Sequence, residues 1–194
     1  CFTPGTLIDT DRGPVAVEAL AVGDRVLTRD HGFRPLVWTG RRDLPAEALA
    51  RWPELAPVRI AAGALAGGLP ARDLVVSPGH RMLVSGARAE VLFGEREVLV
   101  AAGDLVGLPG IARDAAGAVS YLHVMCEGHE IIRAEGAWTE SFQPAAGVLD
   151  GLAEGTRAEL MRLFPDLARP EGQARLATAA RPVLSPAEAR LLVA

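Results

Sequence analysis

The chain opens Cys1-Phe2-Thr3-Pro4-Gly5-Thr6-Leu7-Ile8, which sets a thiol at the head of a strand-like run. A free cysteine alone says little, because it is usually an inert small apolar side chain. A second cluster, Ser77-Pro78-Gly79-His80, follows the apolar run Leu74-Val75-Val76. A hydroxyl and an imidazole on either side of a Pro-Gly turn can face one peptide bond, and the imidazole titrates near neutrality. The plainer alternative is a turn in which Ser77 caps its own backbone and His80 faces water. A third cluster holds Tyr121-Leu122-His123-Val124, then His129, then Ala134-Glu135-Gly136-Ala137-Trp138-Thr139-Glu140-Ser141. A cysteine thiol and a histidine imidazole are the pair that nucleophilic catalysis through a thiolate uses.

The elements that must position these groups read as short strands. Apolar segments at Thr6–Asp9, Pro14–Val17, Arg25–Thr28 and Arg34–Thr39 are separated by turn residues, as in Asp11-Arg12-Gly13 and Val22-Gly23-Asp24. Further strands are expected at Val58–Ala61, Asp73–Val76, Arg81–Val84, Glu97–Val100, Val119–Met125 and Glu130–Ala134. A short helix with Pro45 in its first turn is expected over residues 45–56. Beyond Pro144 the spacing turns helical. One helix is expected over Leu152–Phe164, stopping before Pro165. Another opens at the capping box Ser185-Pro186-Ala187-Glu188 and runs through Leu192, with Ala168–Pro182 as a linker between them. The expected organisation is a mostly β domain at 1–144 and a helical C-terminal tail at 145–194.

Composition agrees. The chain has 194 residues, 49% hydrophobic and 23% charged, which permits a packed core. Its 21 Gly and 14 Pro mark many turns and favour β architecture over a helical bundle. Net charge is −4 and the 20 basic residues are all Arg, scattered without a run, so the footprint of a nucleic-acid binder is missing. The longest uncharged stretch, Ile60–Ala71, is too short for a membrane span, which needs about 20 apolar residues. No basic-then-apolar leader opens the sequence. The two cysteines, Cys1 and Cys126, exclude a disulfide framework. A chain that opens on Cys is expected either to have been cut from something longer or to have been built that way.

Cys1 to Ile8, with Gly13–Leu27 reading V-x-V-x-x-L-x-x-G-D-x-V, resembles the first block of the Hint family, the self-processing domains of inteins and hedgehog proteins. Ser77-Pro78-Gly79-His80 resembles the family's T-x-x-H motif with Ser for Thr. The third cluster resembles the last two intein blocks. There Glu140 stands where inteins have a penultimate His and Ser141 where they have the cyclising Asn. The Asp that inteins carry on the tyrosine-led strand falls on His123 or on Leu122, depending on register. The resemblance implies a Hint-type horseshoe of short strands with pseudo-twofold symmetry, in the bacterial branch that lacks the terminal Asn. Similar domains often end large secreted or surface bacterial proteins.

The resemblance also implies a reaction. Cys1 would attack the carbonyl before it in an N–S acyl shift, and the thioester would pass to water or a small nucleophile. The upstream polypeptide of its own precursor is the expected partner. His80 is the expected acid for the leaving nitrogen, and its neutral form could first take the thiol proton; Ser77 would donate to the oxyanion or orient His80. His129 would support Cys1 or the nucleophile, or else be an ordinary sheet histidine. His123 is carried with them as a candidate. Without the terminal Asn no imide forms, so splicing is not expected. No cofactor and a monomer are expected. His31 reads as a solvated turn residue and Cys126 as a buried thiol. His123, Cys126 and His129 with Cys1 could alternatively offer four soft ligands to zinc, which requires the strand to end near Cys126. Two other readings stand beside self-cleavage. One is a degenerate Hint scaffold serving as an interaction module, and the other is a thiol hydrolase acting in trans.

Overall fold

The computed structural model describes residues 1–114, 117–144, 149–150 and 152–193. Twelve strands dominate these residues: β1 Leu7–Thr10, β2 Gly13–Ala16, β3 Arg25–Thr28, β4 Gly32–Leu44, β5 Val58–Ile60, β6 Leu74–Val76, β7 Arg81–Ser85, β8 Glu97–Ala101, β9 Ile111–Arg113, β10 Val119–Cys126, β11 Ile131–Ala134 and β12 Ala137–Glu140. The helices are short: α1 Ala46–Arg51, α2 Ala87–Phe93, α3 Glu154–Leu163, α4 Pro170–Leu176 and α5 Pro186–Val193. The fold is mostly β with a C-terminal helical tail, as the sequence led us to expect.

The larger sheet runs β10-β4-β3-β1-β11-β12-β7-β8, with β2 on β1, and the smaller runs β6-β5-β9. The large sheet curls, because β3 pairs with both β1 and β11 while those two also pair with each other. Strand β4 is long enough to serve both wings. Its start pairs with β3 and its remainder, from Leu36 to Leu44, with β10. The ladder slips between Met125 and Cys126, a bulge that bends β10. Gly40 is needed within β4, since a Cβ there would lie 2.1 Å from the Trp38 ring.

Phe2 joins the two sheets. It bridges Leu122 of β10 on one side and Val76 of β6 on the other, so the first residues thread the middle of the molecule. Phe2 is 1% exposed and sits in the main core with Ile8, Val26, Met82, Val100 and Ile132. Burying a side chain of this size is worth about 1.5–3 kcal/mol, which anchors Cys1 beside it.

The tail differs from expectation in one respect. The stretch read as a linker, Ala168–Pro182, contains α4, and a 3-10 turn at Pro165–Ala168 leads into it. Tail residues also enter both cores. Leu184, Ala189 and Leu192 join the main one, while Leu160 and Leu167 pack with Trp38 and Met125. Val183 bridges Leu99 in parallel, covering the outer edge of β8. The expected boundary after residue 144 abuts residues 145–148, which lie outside the described residues. The capping box is formed: Glu188 accepts from the Ser185 N–H at 2.7 Å, and Ser185 Oγ accepts from the Glu188 N–H at 3.3 Å. Helix α2 and strand β9 were not anticipated.

Candidate active site around Cys1

Residue 1 is held from both sides. The Phe2 N–H donates to the Leu122 carbonyl at 2.9 Å, and the Ser77 N–H donates to the carbonyl of Cys1 at 2.9 Å. Ser77-Pro78-Gly79-His80 is a β-turn, closed by the His80 N–H to the Ser77 carbonyl at 3.0 Å, with Pro78 at its second position. The turn carries the chain from β6 to β7 and aims two side chains at the first nitrogen. His80 Nδ1 lies 2.7 Å from the Cys1 nitrogen and Ser77 Oγ 3.2 Å from it. The reading of Ser77 and His80 as a self-capped, solvent-facing turn is therefore corrected: His80 is 3% exposed.

The sulfur has a different neighbour. His123 Nδ1 is 3.1 Å from Cys1 Sγ and Nε2 is 3.5 Å. His123 and Tyr121 alternate with Leu122 along β10, so both face away from Leu122 and toward the side on which Cys1 projects. The two imidazoles rest on aromatic rings: His80 on Phe2, with centroids 4.6 Å apart, and His123 edge-on to Phe142 at 4.9 Å.

Thr139 of β12 fixes the tautomer of His80. Its hydroxyl donates to the Arg81 carbonyl at 2.8 Å, so its oxygen is left to accept a close hydrogen bond from His80 Nε2–H. His80 then offers the lone pair of Nδ1 to the Cys1 nitrogen. Burial sets the electrostatics. It holds the Cys1 amine down at about 5, against a partial rise from Glu140. His80 is well below its ordinary value, first through burial and then through the facing amine. His123 is pushed down to about 3, again mainly by burial. All three nitrogen groups are neutral at pH 7, which leaves lone pairs on both imidazoles.

His129 lies elsewhere. It does not touch Cys1: its Nδ1 accepts from the Ala180 N–H of the tail at 3.0 Å and its Nε2 is 3.1 Å from Glu140. The zinc alternative loses its geometry with it. His123 faces Cys1, His129 faces Glu140, and Cys126 is 2% exposed in the main core, where burial pushes its thiol up to about 12. Among the described residues no three His, Cys, Asp or Glu are grouped to hold a metal. His31 is exposed in its turn, as read, but it also pairs with Glu130 at 2.9 Å. Ser141 is fully buried; its Oγ accepts from the Glu130 N–H at 2.9 Å. Sequence reasoning passed over Thr139, Arg81 and Phe142. Only Thr139 left a trace, as a polar residue on the inward face of a strand whose neighbours there are Ala137 and Ser141.

The Hint domain family model matches residues 1–146. This chain belongs to the Hint domain family. Solved structures that it is similar to include the MchDnaB-1 intein, at 15% identity and a TM-score of 0.44, covering 73% of this chain and 100% of that one. The bacterial intein-like domain from Clostridium thermocellum matches at 15% identity and a TM-score of 0.44, covering 73% and 97%. The zinc-bound Msm DnaB1 intein splicing domain matches at 12% and 0.46, covering 72% and 98%. No curated protein matches the chain. The family match supports an autoprocessing-type function in general. No helix among the described residues is long and apolar enough to cross a membrane.

Proposed function

We propose that this Hint domain cleaves the peptide bond before Cys1 in its own precursor, once per molecule and without splicing. The observation that carries the reading is the division of Cys1 between two imidazoles, His123 at the sulfur and His80 at the nitrogen. In a precursor that nitrogen would be an amide. The amide N–H would donate to His80 Nδ1, and the thiol would donate to His123. Neutral His123 takes the thiol proton, and Sγ attacks the upstream carbonyl carbon. His123 hands that proton on, through water in the cavity beside it, to the free Nδ1 of His80. As the tetrahedral intermediate collapses, the C–N bond breaks and His80 delivers the proton to the nitrogen, which leaves both imidazoles neutral again. The net change is an isomerisation in which an amide becomes a thioester and the thiol proton ends on the amine. Ser77 Oγ lies beside the same nitrogen and can donate to the lone pair that the nitrogen gains in the tetrahedral intermediate.

A thioester lies above an amide in free energy, so whatever consumes it sets the direction. A cavity of about 150 Å³ lined by Cys1, His80, His123, Glu140 and Phe142 has room for water. Hydrolysis, or transfer to a small nucleophile, then releases the upstream polypeptide. At the far end Ser141 is tied to Glu130, and a hydroxyl cannot form the five-membered imide that an Asn amide forms.

The test is a precursor with a folded protein fused before Cys1. Cleavage is expected to be first order, independent of protein concentration, and abolished in Cys1→Ala. Mass spectrometry is expected to find a new end at Cys1, the bond after Ser141 intact, and no ligated product. Second-order kinetics, or a fragment ending at Ser141, would refute the reading.

A further inference from the structure

Two consecutive residues of β12 grip His80, the last residue of the turn, and Arg81, the first of β7. Thr139 holds the ring of His80 and the carbonyl of Arg81, and Glu140 Oε1 accepts from the Arg81 N–H at 2.9 Å. Glu140 is itself fastened. Its Oε2 accepts from His129 Nε2–H at 3.1 Å and from the Arg81 guanidinium at 3.3 Å. The Ala180 N–H, by occupying Nδ1 of His129, puts the imidazole proton on Nε2, where it meets the carboxylate. Arg81 continues to Gln143 at 2.9 Å, and Gln143 reaches the Ala177 carbonyl of the tail at 2.6 Å. A buried carboxylate is thus set in the wall of the cavity that holds Cys1 and His80.

We propose that Glu140 is a positioning residue for the acyl shift: held by Arg81 and by the tail-oriented His129, it keeps a negative charge beside His80 and the Cys1 nitrogen so that the leaving nitrogen can take up its proton. The proposal rests on the self-cleavage reading and adds to it a residue and a role for the tail. Three cations can form in this buried site, on Cys1 N, His80 and His123, with Arg81 and His129 nearby. Arg81 of β7 and His129 ahead of β11 bond Glu140, which lines the same cavity as Cys1 and His80, and its charge acts on the Cys1 nitrogen. Burial works against a charge on Cys1 N, His80 or His123, and the Glu140 charge works the other way, raising the proton affinity of the Cys1 nitrogen.

Glu140→Gln tests it, since the amide oxygen can still accept from the Arg81 N–H while the charge is lost. In a precursor we expect cleavage to slow about tenfold, with Glu140→Asp recovering part of the rate. This corresponds to roughly one pKa unit, the low end for an opposite charge at short range. In a chain beginning at Cys1, titration of the ¹⁵N-labelled amine by NMR should show its pKa falling by a similar amount in Glu140→Gln. An unchanged amine titration overturns the proposal, whether or not any precursor cleaves. If the wild-type precursor stays intact while the amine titration shifts as expected, the cleavage reading fails and the electrostatic placement of Glu140 stands. If Glu140→Gln does not fold, Glu140→Asp carries the titration, and a wild-type amine pKa and rate there, despite the withdrawn carboxylate, count against the proposal.

Discussion

Cys1 offers its two heteroatoms to two imidazoles that are not equivalent. His80 reaches the nitrogen, with its other ring nitrogen committed to Thr139, and His123 reaches the sulfur. Removing each should therefore fail at a different point. His80→Ala is expected to slow precursor cleavage by roughly 10²–10⁴, the usual worth of a positioned acid or base. Raising pH should not rescue it, because the missing step is protonation of the nitrogen. His123→Ala is expected to slow cleavage less, and the deficit should shrink as pH rises, because hydroxide can take over removal of the thiol proton. Cleavage rates from pH 6 to 9 for the two variants check this. Parallel pH profiles would mean that one histidine serves both atoms.

At the scale of elements, the site depends on contacts that close late in the chain. The hairpin between β11 and β12 turns through Glu135 and Gly136, both at positive φ, the geometry of a type I′ turn. The Glu135 side chain accepts from the Leu7 N–H at 2.7 Å and pairs with Arg72, fixing the hairpin to the start of β1. The tail then covers what the sheet leaves open. The Leu99 N–H donates to Pro182 and the Leu184 N–H to Leu99, completing the edge of β8, while Arg181 bridges Asp30 and Glu97. Ending the chain at residue 146, where the family match stops, would expose that edge. It would also strip Leu160, Leu167, Leu184 and Leu192 from the two cores. At about 1.5–3 kcal/mol for each buried leucine, against a typical total stability of about 5–15 kcal/mol, the shortened chain is expected to aggregate or unfold. Thermal unfolding and size-exclusion chromatography check this. A melting temperature within a few degrees of the full chain would show that residues 1–146 stand alone.

The buried site makes the stability of the whole molecule depend on pH. In an unfolded chain the Cys1 amine keeps its proton up to about pH 8, whereas in the folded chain it has lost it above about 5. Between these values the unfolded state binds more protons, so stability rises with pH. His80 and His123, both held below their ordinary values, act in the same direction below about 6.5. The chain beginning at Cys1 is expected to gain stability from pH 5 to 8, with the amine contributing at most a few kcal/mol. A Cys1→Ala precursor, in which that nitrogen is an amide, is expected to rise less steeply, chiefly below about 6.5. Denaturant unfolding of both across this range decides it, and equal slopes would mean that the amine reaches solvent.

The sequence by itself carried what is written within a few residues. The Cys1 block, the Ser77–His80 turn, most of the strands and the Ser185–Glu188 capping box are each set by local spacing and turn chemistry. It also named Cys1, Ser77, His80 and His123, all of which the fold brings to one point. It gave the leaving nitrogen to His80, but it could not assign the imidazole that meets the sulfur. Partners 79 and 122 residues away are chosen by sheet register and not by spacing along the chain. His129 and the segment 168–182 illustrate the same limit. One looked ready to serve the thiol and the other looked like a linker. Tertiary packing gave His129 to Glu140 and the tail, and made part of the segment a helix. A buried polar group takes whatever partner the folded backbone brings within reach, and that is decided only when the sheets close around Phe2.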